Sequence, residues 1–249
     1  PRSLKGARLG VVRAWHGANA DADEVFEAAL AALKKRGAVL VEVKLPESLS
    51  SLWPALGPVV DADFGPQIAE YLATLPEGAP RTVEDLIARA ESPEIASSAT
   101  PLNPARIQGF RDCVASGGME SAGRKKSIEE LLPAARGQVM ELMTKSDVRA
   151  LVFLTMPCPA SVRHDAEDPT YVCEIDDPYR PCYLASSTGF PEITVPAGFT
   201  KSDAMPIGLS FFGRPFSEET IVGLAFDFEQ ATRARRVPAH TPPLPNEEK

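Results

Sequence analysis

The sequence lacks the features that mark membrane proteins and nucleic-acid-binding proteins. Its apolar runs, such as residues 151–154, are far too short to cross a bilayer. Basic residues are in deficit, since 26 Lys and Arg stand against 34 Asp and Glu and give a formal charge of −8. A surface that binds nucleic acid needs clustered positive charge. We therefore expect neither a membrane nor a nucleic acid as a direct partner.

Cysteine is also scarce, with only Cys113, Cys158, Cys173 and Cys182 among 249 residues. No two of them have the Cys-x-x-Cys spacing of redox and zinc sites. Four cysteines are too few for a disulfide scaffold in a chain of this length. We therefore expect mostly free thiols, a reducing cytoplasmic compartment and no metal site.

An initiator methionine is missing as well, because the sequence begins Pro-Arg-Ser-Leu-Lys-Gly, and no signal-peptide pattern follows. We expect the chain to begin within a longer protein. The composition, with 44% apolar and 24% charged residues, is typical of a globular protein. No Gly/Ser linker divides the chain. We expect one domain over residues 1–249, of the α/β class by the strand and helix patterns described next, with an extended, Pro-rich tail at 237–249.

The N-terminal segment has the pattern of a strand, a helix and a second strand. Residues 8–13 are apolar and predict a buried strand, and residues 39–45 alternate as a second strand should. Between them, an amphipathic helix follows Asp21 and Asp23 and stops at Gly37. If the strands are parallel, these elements form a right-handed βαβ unit.

The remaining elements alternate between helical and extended patterns. Helices are predicted over 53–75, from Thr82, over 103–114, over 127–143, and from a cap at Ser217 to about 233. Strands are predicted over 150–155 and 191–196, with 207–212 as the partner of the latter, and residues 164–181 form a polar loop.

The nucleophilic residues do not form a recognised catalytic motif. Ser186 and Ser187 are tandem serines, but Ala185 and Thr188 occupy the positions where a tandem-serine hydrolase motif needs glycine. No lysine lies nearby to act as a base, so we interpret this pair as the start of a helix or turn. Cys158 follows a strand end and is interpreted as a packed or pocket-lining thiol.

The histidines and the first glycines give no site either. His16, His164 and His240 lack a nucleophile-elbow context and are interpreted as surface or loop residues. Gly6 and Gly10 are not followed by the Gly-Lys-Ser/Thr of a phosphate loop, so they indicate close packing around a strand.

The C-terminal third resembles a known signature. It reads Gly-Phe-Pro-Glu-Ile-Thr-Val-Pro-Ala-Gly-Phe at 189–199, Met-Pro-Ile-Gly-Leu-Ser-Phe-Phe-Gly-Arg-Pro-Phe-Ser-Glu-Glu at 205–219, and Ala-Phe-Asp-Phe-Glu-Gln-Ala-Thr at 225–232. These motifs are similar to the C-terminal signature of the amidase signature family. Residues 4–12 and 154–157 also resemble family segments. Residues 71–73 and 81–87 are most similar to the peptide-amidase-like branch.

This resemblance implies a mixed β-sheet flanked by helices, and hydrolysis of a small-molecule or peptide carboxamide to an acid plus ammonia or an amine. The family uses a Ser–cis-Ser–Lys triad with no metal and no cofactor, in which a neutral lysine serves as base. Its Gly-Gly-Ser-Ser-Gly-Gly stretch and catalytic lysine are absent here. The chain therefore resembles the C-terminal part of an amidase, and no catalytic residue is carried over.

By position alone, Thr155, Cys158 and Ser186 are the candidates for binding substrate. We expect the chain by itself to be inactive, and to need the missing N-terminal catalytic half or to self-associate through exposed apolar surface and strand edges. Two alternatives stay open. One is a glutamine amidase of the amidotransferase A-subunit branch, and the other is a non-catalytic α/β binding or scaffold domain.

Overall fold

A five-stranded mixed β-sheet forms the centre of the computed structural model, which describes residues 2–202 and 204–238. The strands are β1 (Arg8–Val12), β2 (Val39–Val43), β3 (Ala150–Leu154), β4 (Glu192–Phe199) and β5 (Pro206–Phe212). They lie in the order β2-β1-β3-β5-β4; β2, β1 and β3 are parallel, and β5 is antiparallel to both its neighbours. The predicted α/β class and mixed sheet are confirmed. Residues 239–249 of the predicted tail lie outside the described residues.

The predicted βαβ unit is confirmed. Helix α1 (Ala20–Lys35) connects the parallel strands β1 and β2. It begins at Asn19, whose side chain accepts a hydrogen bond from the Ala22 amide at 2.9 Å and so satisfies a free N–H of the first turn. It ends before Gly37, whose φ of +91° few other residues adopt without strain.

Five of the other helices lie close to their predicted positions: α3 (Trp53–Ala73), α4 (Val83–Glu91), α6 (Pro104–Ala115), α8 (Leu132–Lys145) and α10 (Glu218–Thr232). The short helices α2 (Glu47–Ser50), α5 (Pro93–Ala96) and α7 (Ala122–Lys126) were not predicted, and α9 (Tyr183–Thr188) contains Ser186 and Ser187, where the sequence indicated a helix or turn. Among the described residues, no helix has the length and apolar character needed to cross a membrane.

Two predicted elements differ in extent, and a proline is involved in each. The helix predicted over 127–143 begins with a π-helical turn, Ser127–Leu131, since Pro133 has no N–H for the normal helical hydrogen bond. The strand predicted over 191–196 continues to Phe199. Pro196 is accommodated because β4 is an edge strand with a register irregularity between Pro196 and Gly198.

The two faces of the sheet carry separate cores. Helices α1 and α10 cover one face, where Phe26, Phe211 and Phe228 are buried. Helices α8 and α9 cover the other face. Trp15, which follows β1, is buried there together with Phe153 and Phe212. Outside α8 and α9, helix α3 packs against α6, α7 and α9. The sheet is therefore enclosed between helical layers, as expected for an α/β fold.

A buried carboxylate joins three distant parts of the chain. Asp227 on α10 is 1% exposed and accepts a hydrogen bond from the Leu4 amide at 2.9 Å. It also accepts one from Arg36 Nε at 3.1 Å and forms an ion pair with the same guanidinium. The segment before β1, the end of α1 and helix α10 are thus held by one side chain.

We predict that Asp227→Ala lowers the free energy of unfolding by about 2–3 kcal/mol, because it leaves the buried Leu4 amide and a charged group without their acceptor. Urea denaturation of the purified chain measures the change. Glu141→Ala removes an exposed ion pair with Lys145 on α8 and should cost less than about 0.5 kcal/mol. Equal losses in the two variants would contradict a special role for Asp227.

Candidate functional site

The candidate site lies where β3 ends and the chain leaves the sheet at Thr155. The Thr155 amide donates to Gly208 O on β5 at 3.0 Å, so the residue is held at the edge of the ladder. Leu154 lies opposite Leu209, and Thr194 on β4 lies opposite Ser210 on β5. β3 therefore ends at this point, whereas β4 and β5 continue past it.

A cluster of hydroxyl groups fills this position on the face covered by α9. Thr155 Oγ1 is 2.7 Å from Ser210 Oγ and 3.1 Å from Thr194 Oγ1. Ser210 is fully buried and donates to Glu192 Oε1 at 2.6 Å. We call Thr155, Thr194, Ser210 and Glu192 the hydroxyl–carboxyl cluster. It is a connected polar network inside an otherwise apolar sheet.

The cluster depends on the glycine at position 208. A Cβ atom there would lie 2.7 Å from Thr194 Cγ2 and 3.0 Å from Thr155 Oγ1. Both distances are too short for the neighbouring side chains to stay in place. Gly208 therefore permits the close approach of the two threonines across β5.

Two titratable groups of the site are biased toward their neutral forms. Burial raises the pKa of Glu192, and the hydrogen bond from Ser210 offsets part of that increase. The thiol of Cys182 donates to Thr155 O at 3.4 Å. Burial raises the pKa of this thiol, and the negative charges of Glu192 and Asp177 add to the effect. The site thus has a protonated thiol beside a carboxyl group that resists ionisation.

The prediction of mostly free thiols is wrong for two of the four cysteines. Cys158 and Cys173 form a disulfide with a Cα–Cα distance of 5.6 Å, while Cys113 and Cys182 are free. Cys158 is 3% exposed, so it is a buried disulfide half rather than a pocket-lining thiol. Sequence spacing did not indicate the pair, because a 15-residue separation brings the two residues together only through the folded loop.

The disulfide closes a loop that also binds the turn after β1. The Glu174 amide donates to Ala18 O at 2.7 Å, and Asn19 Nδ2 donates to Val172 O at 2.8 Å. These contacts place the closed loop beside the start of α1. The loop therefore borders the end of the sheet at which Thr155 lies.

Ser186 lies on α9, is exposed, and donates its hydroxyl hydrogen to Cys182 O at 3.1 Å. Cys182 also contacts Thr155, so Ser186 is linked to Thr155 through this one residue. Cys158 is not part of this link, because its sulfur is in the disulfide with Cys173. Ser187 is buried and its hydroxyl has no hydrogen-bond partner among the described residues. No base activates either serine there, in agreement with their interpretation as helix residues.

Sequence reasoning missed Thr194, Ser210, Glu192 and Cys182. A signal existed for three of them, because Glu192 and Thr194 are two residues apart on one strand face, and the predicted pairing with β5 brings Ser210 beside them. Among residues 2–202 and 204–238, no group of three or more His, Cys, Asp or Glu side chains is placed to hold a metal ion.

Comparison with known proteins gives a consistent result. The model of a family described as Amidase matches residues 1–222. The A-subunit of glutamyl-tRNA(Gln) amidotransferase from Halorhodospira halophila is 28% identical over 252 residues, which covers 93% of this chain and 46% of that protein. The structure of peptide amidase from Stenotrophomonas maltophilia is similar with a TM-score of 0.68 and 26% identity, covering 95% of this chain and 45% of that one.

A third similar protein, the A-subunit of the same amidotransferase from Thermotoga maritima, has a TM-score of 0.53 at 20% identity, covering 91% of this chain and 43% of that one. This likeness shows the fold alone. The chain thus spans less than half the length of these relatives.

We predict a pH-dependent effect for Glu192→Gln. Burial raises the pKa of Glu192 in the folded state. At pH values between the usual glutamate pKa and this raised pKa, Glu192 is therefore ionised in the unfolded chain but not in the folded one. Wild-type stability therefore falls as pH rises through that interval, and glutamine removes the loss. The stability of the variant relative to wild type should increase from pH 4 to pH 7 in urea denaturation. Glu77→Gln, at an exposed site, is the matched control.

We also predict that the chain, purified without reductant and then denatured, takes up two alkyl groups with iodoacetamide, and four after reduction. Mass spectrometry gives the count. The double variant Cys158→Ser with Cys173→Ser should lose about 3 kcal/mol of stability, since a loop of this length is no longer closed. Cys113→Ser is the control for removing a free thiol. Four alkyl groups without reduction would show that the pair is open.

Proposed function

The chain belongs to the amidase family, and we propose that it forms the C-terminal half of an amide hydrolase whose catalytic serines and lysine lie outside these 249 residues. The observation that carries this proposal is the matched length. The chain aligns over 95% of its residues with 45% of the peptide amidase structure. The Gly-Gly-Ser-Ser-Gly-Gly stretch expected of the family is not in the sequence.

The outer edge of β4 supports this division of the protein. β4 pairs with β5 on one side, and no other strand in the described part of the chain pairs with it on the other. An unpaired edge strand readily accepts another strand. Side chains of β4 such as Ile193 and Ala197 are already partly buried against the core. In the proposal, the missing half continues the sheet from this edge.

The hydroxyl–carboxyl cluster gives this half a direct role at the substrate. Thr155 is partly exposed and Thr194 is exposed, so their hydroxyl groups can hydrogen-bond an incoming carboxamide. Ser186 offers a further exposed hydroxyl near Cys182. Catalysis by the supplied half would attack the amide carbon with serine, release ammonia or an amine, and hydrolyse the acyl-enzyme with water. The residues of this chain would bind and orient the amide.

The substrate that we propose is a small carboxamide or a C-terminal peptide amide. This choice follows the higher structural similarity to the peptide amidase, with a TM-score of 0.68 against 0.53 for the amidotransferase protein from Thermotoga maritima. The second candidate is glutamine amidase activity of the amidotransferase type. It is favoured by the 28% identity to the Halorhodospira halophila protein over 93% of the chain.

We expect no ammonia release by the purified chain alone from a C-terminal peptide amide, benzamide or glutamine. Co-expression with the N-terminal half of the Stenotrophomonas maltophilia peptide amidase should restore release, because that half supplies the nucleophile. The matched control carries alanine in place of the nucleophilic serine of the supplied half. Sedimentation velocity then reports whether self-association of the isolated chain gives way to a one-to-one complex.

The outcomes separate the alternatives. Release from glutamine only would favour the amidotransferase type. A one-to-one complex without hydrolysis of any amide would favour a non-catalytic binding or scaffold domain. Robust hydrolysis by the chain alone would contradict the proposed division, and Ser186 and Ser187 would then be the first residues to substitute.

A further inference from the structure

An open depression of about 380 Å³ lies at the opposite end of the sheet, where β1 and β3 begin. Three arginines from separate segments line it: Arg8 is the first residue of β1, Arg149 directly precedes β3, and Arg214 lies between β5 and α10. We propose that this depression binds a small anion that carries phosphate groups, independently of the amidase site.

The charge of the depression differs in sign from that of the chain. Three guanidinium groups line it with one carboxylate, Asp147, whereas the whole chain carries a formal charge of −8. Glu218 and Glu219 lie nearby in the first turn of α10 but do not line it. Like charges gathered in one concavity repel each other, and a multiply charged anion would relieve that repulsion.

Two of the arginines are held in place by contacts to the protein. Arg8 Nε donates to Asp147 O at 2.7 Å and is 3.1 Å from the Asp147 carboxylate. Arg214 Nη1 donates to Thr144 Oγ1 at 3.1 Å. These contacts leave other N–H groups of both side chains available. Arg149 makes no side-chain hydrogen bond or ion pair within the described residues, so its whole guanidinium is free to bind.

The start of helix α10 adds a further favourable element to the same wall. Ser217 stands at the N-cap position, as expected from the sequence, but its hydroxyl donates to Arg214 O at 2.7 Å instead of capping the helix. Among residues 2–202 and 204–238, the backbone N–H groups of the first turn therefore have no side-chain acceptor. Helix N-termini of this kind attract anions, and here the terminus adjoins three arginines. One guanidinium group can donate two parallel hydrogen bonds to two oxygens of the same phosphate.

Isothermal titration of the full 249-residue chain with inorganic pyrophosphate, at physiological salt, tests the proposal. We expect saturable binding, and a loss of at least roughly tenfold in affinity in the double variant Arg149→Ala with Arg214→Ala, because bonds to charged groups are removed. Thr220→Glu provides a second variant that keeps the arginines. It places a carboxylate in the depression and at a helix N-terminus, where a carboxylate favours folding.

Arg89→Ala, which removes an exposed arginine paired with Glu94 on a different surface, is the control and should bind as wild type does. Orthophosphate, citrate and a single-stranded RNA hexamer without terminal phosphates serve as further ligands. Weaker binding of orthophosphate and citrate than of pyrophosphate supports the proposal. Binding of the RNA but not of pyrophosphate, no saturable binding, or unchanged affinity in both depression variants would overturn it.

Discussion

The antiparallel pairing of β5 between β3 and β4 is the constraint on which the rest of the structure depends. Without β5, no strand would join the parallel strands β2, β1 and β3 to β4 in one sheet. β5 also supplies Gly208, whose missing side chain lets Thr155 and Thr194 approach each other across it. The residue at one position of β5 thus determines whether side chains of β3, β4 and β5 can share a polar cluster.

Most of the fold could be predicted from the sequence, because apolar periodicity specifies all five strands and the longer helices locally, whereas α2, α5 and α7 are too short to show a period. The exceptions depend on contacts that periodicity does not encode. Pro133 widened one helix into a π-helical turn. The disulfide of Cys158 and the burial of Glu192 both require residues that only the folded chain brings together. The pairing of two cysteines also removes part of the argument for a reducing compartment.

The candidate site was predicted less completely than the fold. Thr155 lies in the cluster and Ser186 adjoins it, but their roles as substrate-binding residues stay predictions, and the partners of Thr155 emerged only with the register of β4 against β5. Family membership does not supply these details, since a fold can carry different sites. The two ends of the sheet also differ in character: one gathers hydroxyl groups and the other gathers arginines.

The contact between Leu4 and Asp227 spans 223 residues of sequence. During synthesis on the ribosome, the hydrogen bond from the Leu4 amide therefore cannot form until helix α10, which carries Asp227, has emerged. Elements formed earlier, such as the βαβ unit, have to persist with one face uncovered until then. Vectorial synthesis thus delays closure of this core until α10 is made, and long-range contacts of this kind slow folding.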